Sequence, residues 1–167
     1  MSCEAFENNK MNEFDFIVTD GENPDFEKLC TMLDENLDEL VGKKFQRSAY
    51  ANFNLRDNIH DVILIYHNNE AIACGSFKKY DDKTAELKRV FLKKECRGMG
   101  LAGKLIAKLE ENARCNGFET MILETGKPLV AAGKLYEKLG YERISNYGQY
   151  ADMPDSICMS KSLIVDA

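Results

Sequence analysis

Apolar residues recur along this chain with two periods, and the changes of period mark its elements. Residues 1–13 are polar and read as a tail. Phe14–Thr19 alternates apolar and polar positions, the pattern of a half-buried strand. Asn23-Pro24 then supplies an N-cap with proline at the first helical position. Phe26, Leu29, Leu33, Leu37 and Leu40 follow at helical spacing, and Gly42 provides the stop. Residues 43–60 keep no firm period; a short helix around Tyr50–Leu55 fits them best. Asp61–His67, Glu70–Tyr80 and Thr84–Lys93 read as strands joined by turns at Asn68-Asn69 and Asp81-Asp82, so they form an antiparallel meander.

A glycine-rich loop, Gly98–Gly103, leads into a helix striped by Ala102, Leu105, Ile106, Leu109 and Ala113, and Gly117 ends it. Phe118–Glu124 reads as a strand and Lys127–Leu139 as a helix with Gly140 at its C-terminus. Tyr141–Ile144 and Ser156–Leu163 are two last strands around a tyrosine-rich loop. The order β-α-(α)-β-β-β-α-β-α-β-β predicts an α+β fold, a three-layer α/β arrangement. Its mixed central sheet has antiparallel N-terminal strands and a later β-α-β crossover.

Size adds one constraint: 167 residues suit one domain, taken here as residues 14–167 behind the polar tail. The composition, 44% hydrophobic and 30% charged, is that of a folded soluble chain and excludes disorder. The longest apolar run, Val62–Tyr66, is too short to span a bilayer, and the acidic N-terminus lacks the apolar stretch of a secretory signal. A cytoplasmic protein with no membrane partner is the expectation. Six cysteines include no C-x-x-C pair, so no metal site is expected and core positions are the natural place for the thiols. The two histidines, His60 and His67, flank one strand outside any catalytic pattern and read as strand-end residues.

Charge is unevenly spread. Residues 1–41 hold twelve acids against Lys10 and Lys28, whereas residues 78–108 hold ten bases against four acids. Such asymmetry suggests one cationic and one anionic partner. Without a long basic stripe, a net charge of −6 argues against nucleic acid.

The basic stretch contains CRGMGLAGKL, where three phosphate-loop patterns overlap. Gly98, Gly100 and Gly103 match G-x-G-x-x-G, with Glu124 on the next strand. However, Lys93–Arg97 intervenes between strand and glycine, and too little chain follows for a dinucleotide-binding sheet. Gly98, Gly103 and Lys104 match G-x-x-x-x-G-K, but Leu105 stands where a magnesium-binding hydroxyl belongs. Arg97-Gly98-Met99-Gly100-Leu101-Ala102 matches [R/Q]-x-x-G-x-[G/A], in which glycines admit a pyrophosphate to a helix N-terminus. Glycines serving only a tight strand-to-helix turn are the plain alternative.

The wider sequence resembles the GNAT superfamily of acyl-CoA N-acyltransferases over nearly all of residues 14–163. AELKRVFL, CRGMGLAGKLIAKLE, GFETMILETG, KLYEKLGYERI and SICMSKSL carry the likeness, in order and spacing. The resemblance implies acetyl-CoA as cosubstrate, with no metal. It also implies that Val90, Phe91 and Leu92 pair with pantetheine while Arg97, Gly98, Met99, Gly100, Leu101, Ala102 and Gly103 cradle the pyrophosphate. Tyr136 matches the general acid that protonates the leaving thiolate. Glu86 and Glu124 both match positions used for the base, with Glu86 preferred. Where relatives often carry Asn or Gln to contact the cofactor, this chain has Leu129.

The reaction implied is acetyl transfer to a primary amine of a small molecule or peptide. The alternative is a non-catalytic acyl-CoA-binding sensor. The resemblance implies that the first helix flanks the acceptor, where Asp34, Glu35, Asp38 and Glu39 could attract a cationic amine and Tyr147 and Tyr150 could add aromatic contacts. Arg89 is expected to be a structural or substrate contact. The resemblance is compatible with a homodimer and names no acceptor.

Overall fold

In a computed structural model, residues 14–41, 59 and 61–165 are described. The suggested helix around Tyr50–Leu55, Gly42 and His60 lie outside them. Among the described residues, β1 (Asp15–Thr19) leads through Asn23 into α1 (Pro24–Val41). Asn23 Oδ1 accepts from the amides of Asp25 at 2.8 Å and Phe26 at 3.4 Å, which satisfies two donors that the first helical turn leaves over. Strands β2 (Asp61–His67), β3 (Glu70–Lys79) and β4 (Thr84–Leu92) then form the meander. Asn68 and Asn69 take positive φ in the first turn, a conformation asparagine tolerates. Helix α2 (Leu101–Cys115) crosses back to β5 (Thr120–Gly126), which is followed by α3 (Val130–Lys138), β6 (Glu142–Ile144) and β7 (Ser156–Ser162).

The strands form a seven-stranded sheet in the order β1-β2-β3-β4-β5-β7-β6. Among the described strands only β4 and β5 run parallel; every other neighbouring pair is antiparallel. Alternation along the strands sends apolar side chains to two cores, one on each face. Ile63, Phe77, Leu87, Met121 and Leu123 pack with Leu105, Ile106 and Leu109 of α2, and Leu135 of α3 lies against this cluster. On the opposite face Val62, Leu64, Cys74 and Phe91 pack with Phe26, Leu29 and Leu33 of α1. Cys30, Cys74, Cys96 and Cys158 are buried, as expected of thiols at core positions, while Cys115 is exposed. His67 ends β2 and stacks on Phe14, the ring centroids 4.9 Å apart.

Two elements depart from their expected bounds by two residues or more, and most other strands are one residue shorter at one end. Helix α3 starts at Val130, not Lys127, because a turn from Gly126 O to Leu129 N (2.9 Å) occupies Lys127–Leu129 around Pro128. The strand expected at Phe118–Glu124 is shifted to Thr120–Gly126, since the amides of Glu119 and Thr120 are taken by Lys83 O. Among the described residues, no helix is long and apolar enough to cross a membrane.

Candidate active site

The site begins with a fault in the sheet. β4 and β5 share only three ladder pairs, Thr84 with Thr120, Ala85 with Met121 and Glu86 with Ile122, and then part. On the other side of β4, Ser76 faces Lys88 while Cys74 faces Phe91, which leaves Arg89 and Val90 opposite Gly75 alone. This is a β-bulge, and Arg89 enters it at φ 58°, the left-handed region. The bulge also changes the alternation: Leu87 and Leu92 reach the α2 core, but Phe91 turns to the α1 core. Arg89 itself reaches α1. Its Nη1 and Nη2 donate to Asp34 Oδ1 and Oδ2 at 2.9 and 3.0 Å, and Nη2 also donates to Cys30 O at 3.0 Å. Beneath the bulge, a Cβ on Gly75 would stand 2.7 Å from Leu109 Cδ1, so the missing side chain is what lets α2 lie this close.

The parted strands open a cavity of about 740 Å³. Val90, Phe91 and Leu92 line one wall, and Leu123 and Glu124 line the other. Arg97, Gly98, Gly100, Leu101, Ala102 and Gly103 close one end, whereas Met99 is half-exposed and not part of the lining. Gly98 and Gly100 sit at φ 83° and 75°, where a side chain would be strained. At this terminus Lys104 N bonds Gly100 O, so the amides of Leu101, Ala102 and Gly103 have no carbonyl within the helix to bond. Those donors, with the positive helix end, suit a pyrophosphate. Arg97 braces the end of β4: its Nε donates to Leu92 O at 3.0 Å and its guanidinium lies 5.8 Å from the Phe91 ring centroid. Leu129 offers the cavity an apolar surface at the start of α3.

The candidate acid and bases fall into different surroundings. Tyr136, half-buried on α3, lines the cavity, and burial together with the charge of Glu124 pushes its hydroxyl up to about 12. Glu124 lines it too. Burial raises this carboxyl to about 7, while Lys88 and a hydrogen bond from Ser156 hold it back. Glu86 is 1% exposed and outside the lining. Tyr147 Oη donates to Glu86 Oε2 at 2.6 Å, and Lys78 and Lys88 flank Oε1 at 3.9 Å each.

Lys88, to which periodicity assigns no part, lines the cavity and donates from Nζ to Tyr150 Oη at 3.2 Å. The acids expected to draw in an amine are partly committed elsewhere. Asp34 is held by Arg89, and Glu39 lies 3.6 Å from Lys94. Arg89 thus takes the structural part of its expected role. Among the described residues, no cluster of His, Cys, Asp and Glu is arranged to hold a metal ion.

The sequence profile of the Acetyltransferase (GNAT) family matches residues 26–141. An uncharacterized N-acetyltransferase of Bacillus subtilis is 29% identical over 100 residues, 59% of this chain and 66% of that protein. The chain spans about two thirds or less of the length of the curated relatives it matches. Among solved structures, a Klebsiella pneumoniae protein assigned as an acyl-CoA N-acyltransferase superposes with a TM-score of 0.73 at 28% identity, covering 89% of this chain and 98% of that one. A GNAT acetyltransferase of Elizabethkingia anophelis, solved with acetyl-CoA bound, superposes with a TM-score of 0.62 at 16% identity over 90% of this chain and 98% of that one. The mixed sheet, bulge and cleft therefore sit in an acyl-CoA N-acyltransferase fold.

Proposed function

The chain belongs to the Acetyltransferase (GNAT) family, and on that premise we propose that it transfers an acetyl group from acetyl-CoA to a primary amine. The observation that carries the reading is the cleft between β4 and β5, with a glycine-formed helix N-terminus at one end and Glu124 and Tyr136 on its walls. The residues fit the cosubstrate. Val90–Leu92 offer a strand edge that β5 no longer pairs, and the amides of Leu101, Ala102 and Gly103 receive the pyrophosphate. What acetyl-CoA supplies is an acetyl group activated as a thioester.

A free alkyl ammonium ionises near 10.4, so the amine must lose a proton before it attacks. Glu124 takes that proton, directly or through water, because a carboxyl raised to about 7 is a better base than an ordinary one. As the amine nitrogen bonds to the carbonyl carbon, backbone N–H groups of the bulged strand stabilise the charge on the carbonyl oxygen. The carbon–sulfur bond then breaks, Tyr136 donates its hydroxyl proton to the departing thiolate, and the second proton shed by the nitrogen as the amide forms restores the tyrosine through solvent. Glu86 supports this as a structural carboxylate, accepting from Tyr147 and lying between Lys78 and Lys88. Mixing the protein with acetyl-CoA and a panel of amines and following coenzyme A release tests the reading. Saturable release that needs the amine is expected; binding of acetyl-CoA with no turnover on any amine would sink it in favour of a sensor.

A further inference from the structure

The cleft holds a buried lysine to which the acetyl-transfer steps assign no part. The Lys88 side chain is only 6% exposed, yet it lines the cavity. Tyr150 fixes its ammonium, accepting from Nζ at 3.2 Å with the ring centroid 5.8 Å away. Its ion pair with Glu86 spans 3.9 Å, too long for a hydrogen bond, and Glu86 is shared at the same distance with Lys78 while accepting from Tyr147. Burial disfavours the charged form of Lys88, and the nearby carboxylates Glu86 and Glu124 oppose that effect. When Glu124 holds the proton it takes from the amine, its share of that support is withdrawn beside the reacting atoms.

A polycationic acceptor would meet like charge there at low dielectric, which acts against it. An anionic group on the acceptor would restore that support and find an ammonium already stripped of water.

We propose that the acceptor is an amine bearing a carboxylate, an amino-acid-like molecule, and that Lys88 binds this carboxylate and sets the specificity. The inference rests on the acetyl-transfer reading for its reaction but not for its binding chemistry.

The test compares L-amino acids with their carboxamides, and with the polyamine spermidine, as acceptors. Calorimetry of N-acetyl-amino acids against N-acetyl-amino-acid amides, in the presence of coenzyme A, supplies a readout without turnover. The wild-type protein should favour the acid over the amide by about tenfold or more in kcat/KM, the scale of one charge-assisted contact. Lys88→Met should bring that ratio close to one, and Lys88→Arg should keep part of it. Taking the ratio within each variant cancels any effect of Lys88 on Glu124. Equal use of acid and amide by wild type, preference for spermidine, or an unchanged ratio in Lys88→Met would overturn the proposal. If no amine is acetylated but acids still bind better than amides through Lys88, the specificity stands and the acetyl-transfer reading falls.

Discussion

The guanidinium of Arg89 and the carboxylate of Asp34 form a two-point ion pair, at 2.9 and 3.0 Å, that ties the β4 bulge to helix α1. The partners are unequally buried, with the Arg89 side chain 4% exposed and that of Asp34 45%. Removing Asp34 leaves a buried cation without its counter-charge. Removing Arg89 leaves a carboxylate that water can reach. Asp34→Ala should therefore lose about 2 kcal/mol of stability, below the fully buried range because Asp34 is partly solvated, and Arg89→Met should lose less. Denaturant midpoints measure both, and the reverse order would mean that the salt bridge is not what holds the bulge to the helix.

Glu124 gives a pH signature. Its carboxyl ionises at about 7 in the folded protein against an ordinary 4.5, chiefly through burial. As the base it works only when ionised, so kcat/KM should rise with pH through about 7 and then level off. Glu124→Gln should remove that limb and lower kcat by about 10²–10⁴-fold. Stability moves the other way. Between pH 4.5 and 7 the folded protein keeps a proton that the unfolded chain gives up, so wild type loses stability across this window as pH rises. Gln stays neutral and escapes the loss. The variant should melt above wild type at pH 8, with the two converging below pH 4.5.

Much of this could be read from residue pattern, and the remainder shows what pattern leaves out. Asn23-Pro24, the Phe26 to Leu40 stripe and the two asparagines of the first turn act locally, and the structure uses them locally. Strand order is different: β7 enters between β5 and β6, a long-range choice that no stretch of sequence records. Most important for the site, Arg89 carries no mark of a bulge, since its positive φ belongs to a residue type that rarely adopts it. Glu86 and Glu124 look alike as strand carboxylates. What separates them is the parting of β4 from β5, which leaves Glu124 on the cavity wall and Glu86 beneath Tyr147. Met99, within the loop pattern, turns outward because glycines on either side set the backbone.

Tyr136 tests the acid. With its hydroxyl pushed up to about 12, it stays protonated across the working range and adds no limb to the pH profile there. Tyr136→Phe should lower kcat by about 10²-fold, the lower end of general-acid effects for a good leaving group such as a thiolate. The rise through about 7 should remain, and the KM for acetyl-CoA should hardly change. A loss confined to KM would make Tyr136 a binding residue.

Two glycines should fail in opposite ways. Gly100 has φ 75° at the start of α2 and open space where a Cβ would point, so a side chain there costs backbone strain and meets no neighbour. The left-handed region costs about 1–2 kcal/mol for most residues and less for asparagine. Gly100→Ala should weaken acetyl-CoA binding by about tenfold, the equivalent of 1.4 kcal/mol, as the loop turns its amides from the pyrophosphate. Gly100→Asn should be milder and Gly100→Val worse. Gly75 presents the opposite case, with no positive φ but Leu109 Cδ1 only 2.7 Å from its Cβ position. Gly75→Ala should push Leu109 aside and lower the melting temperature while leaving acetyl-CoA affinity nearly intact. Calorimetric titration and thermal melting of both variants separate the two effects, and a shared loss of affinity would mean that the packing of α2 on β3 itself positions the phosphate loop.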